Sequence, residues 1–240
     1  MSAVPTASQG AVVVWLVGWS LLSVLCARVT ILSLRTRSRV ARGQGDFWTY
    51  FAYVGVAGVL CGGVGLIALV VGSTPAIEGA LRGLLLTFTF LGALLVREAY
   101  YNRTLSNAER DRIGRYPARR AIEVGVIGAI ALVGLGPFVT AVPLPDVVTA
   151  IAGGTVVVYG TYFQRKRARS PATRGTLIDT LLRQFVPVLA FAGGALVTPV
   201  FRPMLGAVVT ETLVGVFLVM TGTSLIIVTI KLHQHLLSQR

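Results

Sequence analysis

Five polar side chains within or beside long apolar stretches of this sequence are the first candidates for chemistry. They are three carboxylates and two hydroxyls: Glu98, Glu123, Glu211, Thr221 and Ser224. A carboxylate inside a membrane segment is costly, so it commonly serves a ligand, an ion path or an ion pair. The three glutamates lie near segment ends, where an interfacial anchor or a salt bridge is the simpler interpretation. Hydroxyls such as Thr221 often bond the backbone carbonyl one turn back instead of lining a pathway.

Histidine and cysteine are too scarce in this sequence for most metal and nucleophilic chemistry. The histidines, His233 and His235, fall among the last few residues, and the cysteines, Cys26 and Cys61, each stand inside an apolar run. A metal-dependent hydrolase needs several His or Asp ligands at matched depths. An intramembrane serine protease needs a histidine beside its serine. We therefore expect no metal, no cofactor and no enzymatic activity.

Lys231, at the end of the last apolar segment, could be a reactive amine. Microbial rhodopsins attach retinal to a lysine in the middle of helix seven, one turn after an aspartate, whereas this sequence has Ile227 one turn before its lysine. Lys231 follows Ala207 by 24 residues, which is about 36 Å of helix and more than the hydrocarbon thickness of about 30 Å. The sequence therefore predicts that Lys231 reaches the headgroups at a membrane surface.

The composition indicates that the natural solvent of the chain is lipid. Of the 240 residues, 54% are hydrophobic and 13% are charged, whereas a soluble domain is about a quarter charged. So few charges cannot cover a water-exposed surface of this size, and the mean hydropathy is +0.76. We therefore expect an all-α integral membrane protein, because helices satisfy their own backbone polar groups in the bilayer.

Seven apolar segments are each close to the roughly 17–25 residues that cross a bilayer. They occupy residues 11–34, 47–71, 80–101, 121–142, 147–163, 178–200 and 207–232. The fifth is the shortest, and the sixth begins with polar residues that include Asp179 and Arg183. We expect a single domain over residues 1–240, folded as a seven-transmembrane-helix bundle.

The basic residues are concentrated on one side of the predicted membrane segments. The formal net charge is +13, from 22 basic and 9 acidic residues. All but three of the bases lie in the loops after helices one, three and five, at the start of helix six or at the C-terminal end. They are Arg35, Arg37, Arg39, Arg42, Arg97, Arg103, Arg110, Arg112, Arg115, Arg119, Arg120, Arg165, Lys166, Arg167, Arg169, Arg174, Arg183, Lys231 and Arg240. Arg82 and Arg202 fall on the other side, and Arg28 lies inside helix one. The positive-inside rule therefore predicts an outside N-terminus and a cytoplasmic C-terminus in the cell membrane.

This charge distribution also indicates which partners to expect. Bases confined to one side of a membrane suit anionic lipid headgroups at the Arg-rich inner loops. They equally suit a membrane or cytoplasmic protein partner. A pI near 11 on a soluble chain would point to nucleic acid, but the placement of the bases argues against that partner.

Small residues recur at spacings that allow helices to approach closely. Gly58 and Gly62 form a GxxxG pattern, and glycine pairs recur at 62–63, 153–154 and 193–194. Close packing is one interpretation, and broken helices around a transport site are the other. The arrangement of helices one to three and five to seven about helix four resembles the topology of small sugar transporters, although no motif recurs between the halves.

Two functions remain open at this point. The first is a non-enzymatic receptor-like, sensory or accessory membrane module that works through partners at its basic cytoplasmic face. The second is a small-solute or ion transporter or channel. Convergence of Glu211, Thr221 and Ser224 with the glycine pairs on one central cavity would favour transport, and a closed apolar core would favour the module.

Overall fold

The computed structural model describes residues 9–38, 45–104, 117–139, 144–168 and 177–238, and these ranges are helical apart from short turns. The prediction of an all-α protein is confirmed for this part of the chain. Its seven long helices are α1 Gln9–Arg37, α2 Gly45–Val71, α3 Pro75–Thr104, α4 Pro117–Val139, α5 Leu144–Ala168, α6 Leu177–Val197 and α7 Ala207–Ser238. A 3-10 turn, Thr198–Phe201, and a single α-turn, Arg202–Leu205, connect α6 to α7.

Six of these helices are long and apolar enough to cross a membrane, within the residues that the structure describes. They are α1, α2, α3, α5, α6 and α7, whereas the apolar part of α4, Ala121–Gly134, is shorter. The predicted end of the fourth segment, residues 140–142, lies outside the described residues. Most helices extend beyond the predicted segments, because their terminal turns carry polar residues that a hydropathy pattern counts as loop.

Two glycines with positive φ mark the turns at the ends of helices. Gly72 follows α2 with φ +92°, and Gly206 precedes α7 with φ +79°. The Gly72 N–H donates to the Ala68 carbonyl and the Gly206 N–H to the Arg202 carbonyl, at 3.0 and 2.9 Å. A side chain is strained in this backbone region, so glycine is the residue that permits both endings.

The central helix of the bundle is α3. It packs on α2, α4, α5 and α6, while α1 lies between α2 and α7, and α7 also packs on α6. The most apolar stretch of α3 is 61% buried, against 33–44% for the other five spans. By contrast, α4 packs chiefly on α3 and α5. The helices thus form a bundle around α3, with α4 as a peripheral member.

Glycines bring neighbouring helices close enough for backbone contact. A Cβ added at Gly62 of α2 would lie 2.8 Å from the Trp19 carbonyl oxygen and from the Ser23 backbone nitrogen of α1. A Cβ at Gly193 of α6 would overlap a methyl of Val157 in α5. Both glycines belong to pairs found in the sequence, and α2, α5 and α6 each run unbroken through them. Their observed role is therefore close packing.

Candidate functional site

The predicted candidates on α7 lie at different levels of the bundle. Glu211 is near the start of the helix, where its carboxylate lies 3.6 Å from the Arg202 guanidinium, and the two side chains are 41% and 54% exposed. Thr221 lies ten residues further on, which is about 15 Å along the helix axis. An ion pair this exposed contributes little to stability, about 0–1 kcal/mol. Glu211 is therefore a surface residue at one end of the bundle.

The threonine hydroxyls of α7 bond within their own helix or to the residue just before it. Thr221 is fully buried, and its hydroxyl donates to the Phe217 carbonyl at 2.7 Å. Thr229 does the same to the Leu225 carbonyl at 2.8 Å. Ser224 is half-buried and sits between them on the helix. A hydroxyl bonded one turn back is already satisfied, so Thr221 needs no further partner, and Glu211 lies about 15 Å from it along the helix axis.

Glu123 belongs instead to a partly buried polar cluster that joins three helices. Its carboxylate forms a salt bridge with the Arg97 guanidinium, and the side chains are 28% and 8% exposed. The same Arg97 nitrogen lies 3.4 Å from the hydroxyl oxygen of Tyr159 on α5, to which it donates. We call these three residues, Arg97, Glu123 and Tyr159, the inner polar cluster. Glu98, the next residue on α3, is half-buried and stands outside the cluster.

Apolar side chains from the same three helices lie beside the inner polar cluster. A buried group consists of Phe90 and Ala93 of α3, Val126 of α4 and Val156 of α5, and Tyr159 packs against it. Burying an arginine in such surroundings costs several kcal/mol of lost hydration, which an ion pair must offset. The cluster therefore fixes Glu123 of α4 to the bundle as a charge partner of Arg97.

The position of Arg97 corrects the sequence interpretation, which placed this residue in the loop after helix three. In the structure Arg97 lies inside α3, and its side chain is buried. Two signals in the sequence could have indicated this: Arg97 continues an apolar helix face that includes Ala93, and Glu123 is the one acidic residue in the fourth segment. Tyr159 carried no comparable signal, because its packing depends on the orientation of α5.

A second polar cluster lies at the opposite end of α3. The Arg82 guanidinium is 2.5 Å from the Asp146 carboxylate of α5 and 3.7 Å from Glu78 one turn earlier on α3. The Ser73 hydroxyl donates to Glu78 at 3.1 Å. Arg82 and Arg97 are fifteen residues apart, which is about 22 Å of helix. The charged groups of α3 thus flank the apolar layer of the bundle at its two ends.

One further buried acid lies at the start of α6. The Asp179 side chain is 7% exposed and lies 3.1 Å from the guanidinium of Arg183, one turn later and largely exposed. Eight of the arginines that the sequence places on the basic side lie outside the described residues: Arg39, Arg42, Arg110, Arg112, Arg115, Arg169, Arg174 and Arg240.

Among the described residues, no group of three or more His, Cys, Asp or Glu side chains is placed to hold a metal ion. Cys26 and Cys61 are both buried and free of any disulfide. Comparison with protein-family models, with curated proteins and with solved structures found no match to this chain. The geometry of the described residues is therefore the basis for assigning a role.

Proposed function

We propose that this chain is a non-enzymatic, receptor-like, sensory or accessory module of the cell membrane, which acts through membrane or cytoplasmic partners at its basic inner face. The observation that carries this proposal is the separation of polar from apolar groups along the bundle. Between the Arg82 and Arg97 levels of α3, buried side chains such as Phe88, Leu95 and Leu189 fill the core. A closed apolar interior suits a module that presents surfaces to partners.

We further propose that α4 is the seventh spanning helix. Glu123 pairs with Arg97 near one end of α3, and a Cβ added at Gly83 near the other end would lie 3.6 Å from the Gly134 Cα of α4. The two helices therefore run antiparallel over fourteen residues of α3, which is about 21 Å. This path beside the most buried helix supports a crossing by α4. With seven crossings, the positive-inside rule places the N-terminus outside and the C-terminus in the cytoplasm.

The orientation gives the first prediction. A reporter that is active only in the cytoplasm, fused after Arg240, is expected to be active, and the same reporter fused before Met1 is expected to be silent. The physical reason is the positive-inside rule applied to the arginines after α1, α3 and α5. A matched pair of fusions with a reporter active only outside serves as the control. Activity of the C-terminal fusion outside the cell would contradict the orientation.

A small-solute or ion transporter is the alternative, and the inner polar cluster is the observation that favours it. Ionisable side chains inside spanning helices commonly mark the paths of ions or solutes, and Glu123 with Arg97 is such a pair. Glu211 would then be the entry group at the other end. Two of the hydroxyls along α7, those of Thr221 and Thr229, bond to carbonyls of their own helix, which argues against a continuous polar path between the two ends.

Solute uptake separates the two functions. Purified protein in sealed vesicles is expected to give the same uptake of a solute and ion panel as empty vesicles, because buried apolar side chains fill the described core between its two polar ends. Uptake above background that is lost in both Glu211→Ala and Glu123→Gln would overturn the module and establish transport. Vesicles containing Glu98→Gln are the matched control, since Glu98 lies outside the inner polar cluster.

A further inference from the structure

Arg28 is a charged residue on the lipid-facing surface of α1, within a spanning segment. Its side chain is exposed, and its neighbours on that face, Val24 and Ile31, are 60% and 50% exposed. No acidic residue occurs in α1, and the single one in α7 is Glu211, at the far end of that helix. Arg28 forms no ion pair with any residue that the structure describes. Its positive charge therefore lies on a lipid-facing surface without a protein carboxylate to balance it.

Close glycine contacts define which side of α1 faces α7. A Cβ added at Gly222 of α7 would lie 2.8 Å from the Leu21 Cβ, and one at Gly215 would lie 3.0 Å from a methyl of Val14. Arg28 follows Leu21 by seven residues, close to two full turns, so it stands on nearly the same side of α1. Because Arg28 is exposed, it borders the α1–α7 contact from the lipid side. Arg35, seven residues later and also exposed, borders it two turns further on.

Along its exposed side, the α1–α7 contact forms a groove, and α7 contributes one polar group to it. His233 is exposed and follows Gly222 by eleven residues, about three turns, so it lies close to the side that faces α1. The contacts of Leu21 with Gly222 and of Val14 with Gly215 show that the two helices run parallel with a constant offset. His233 is therefore at a level between Arg28 and Arg35, whose Cα atoms are about 10.5 Å apart along the axis.

We propose that Arg28, Arg35 and His233 form a binding site for the headgroup of an anionic phospholipid, with the lipid phosphate on Arg28 and an acyl chain along the α1–α7 groove. A guanidinium presents a planar fork of donors that matches phosphate oxygens, and such charge-assisted bonds strengthen where water is scarce. The exposed side chains of Val24 on α1 and Ile226 on α7 supply the apolar wall toward the membrane centre.

This site goes beyond the general attraction of basic loops to a membrane surface, because Arg28 lies inside the spanning segment of α1. It rests on the embedding of α1 and α7 in a bilayer, and it is independent of the orientation proposed above. Since the two helices are parallel, their Arg28 and His233 levels meet the same leaflet in either orientation. Failure of the orientation test and failure of the lipid site are therefore separate results.

Lipid retention by the purified full chain tests the site. The protein is reconstituted with phosphatidylglycerol, or with phosphatidylcholine alone, and bound lipids are counted by native mass spectrometry after detergent exchange. We expect phosphatidylglycerol to be retained, and Arg28→Gln to weaken its binding about tenfold, the effect of losing one charge-assisted contact. Arg28→Lys should recover part of the binding, because it restores the charge and not the fork.

Arg37→Gln is the matched control. Arg37 is also exposed, and its substitution removes the same charge. It lies nine residues after Arg28, two and a half turns away on the opposite face of α1. Equal losses in the two variants would overturn the site in favour of a diffuse surface charge. Inorganic phosphate added at the same concentration is expected to leave lipid retention unchanged. Displacement of the lipid by inorganic phosphate would overturn the assignment to a lipid headgroup.

Discussion

Glu123→Ala is expected to destabilise the bundle by about 3 kcal/mol, one of the two largest effects that we predict for a single substitution. The substitution leaves the Arg97 guanidinium buried without its carboxylate, and breaking one side of a buried ion pair commonly costs about 3–5 kcal/mol. We take the lower end because the Glu123 side chain is 28% exposed. A thiol-reactive fluorophore measures the unfolding midpoint, since Cys26 and Cys61 are both buried in the folded protein.

Glu98→Ala is the control for that experiment. Glu98 is the residue after Arg97 on α3 and is not a member of the inner polar cluster. The variant's free energy of unfolding should stay within a few tenths of a kcal/mol of that of the unchanged protein, as is usual for a partly exposed site with no ion pair among the described residues. The double substitution Arg97→Met with Glu123→Leu should regain much of the lost stability, because it removes both buried charges. A midpoint for Glu123→Ala equal to that of Glu98→Ala would show that the ion pair contributes nothing.

Gly62→Ala should destabilise the protein by about 1–3 kcal/mol, the range for overpacking a well-packed contact. The added Cβ would meet the Trp19 carbonyl oxygen and the Ser23 backbone nitrogen at 2.8 Å. Backbone atoms of a neighbouring helix cannot rotate out of the way as a side chain can, so α1 and α2 must separate. Titration with a denaturing detergent, followed by circular dichroism, measures the loss of helical structure.

Gly63→Ala is matched to this change in residue type and in sequence position. A Cβ at Gly63 has no neighbouring atom within 4 Å, so the substitution should leave stability unchanged or raise it by up to about 1 kcal/mol through helix propensity. We therefore expect a loss of stability for Gly62→Ala and no loss for Gly63→Ala, although the two residues are adjacent in one helix. Similar losses for both variants would refute the close α1–α2 contact at Gly62.

The polar candidates show how far a sequence can locate a site. Glu123 was selected as an ionisable group within an apolar segment, and the structure places it in the inner polar cluster. Its partners were not selected: Arg97 was assigned to a loop, and Tyr159 was not considered. Pairing across α3, α4 and α5 depends on how each helix is rotated about its axis, and apolar segments that face lipid and core alike give little periodic signal for that rotation.

The sequence by itself determined that this chain is helical and suited to a bilayer, because low charge and long apolar runs leave helices as the structure that satisfies the backbone in lipid. Only the tertiary structure decided that α3 is the central helix and that Gly62 packs against Trp19 and Ser23. It also decided that Arg28 is exposed on the surface of the bundle while Arg97 is buried. Both arginines lie within predicted apolar segments, in the last third of each. Their environments differ because helix packing, which hydropathy does not encode, determines what each side chain contacts.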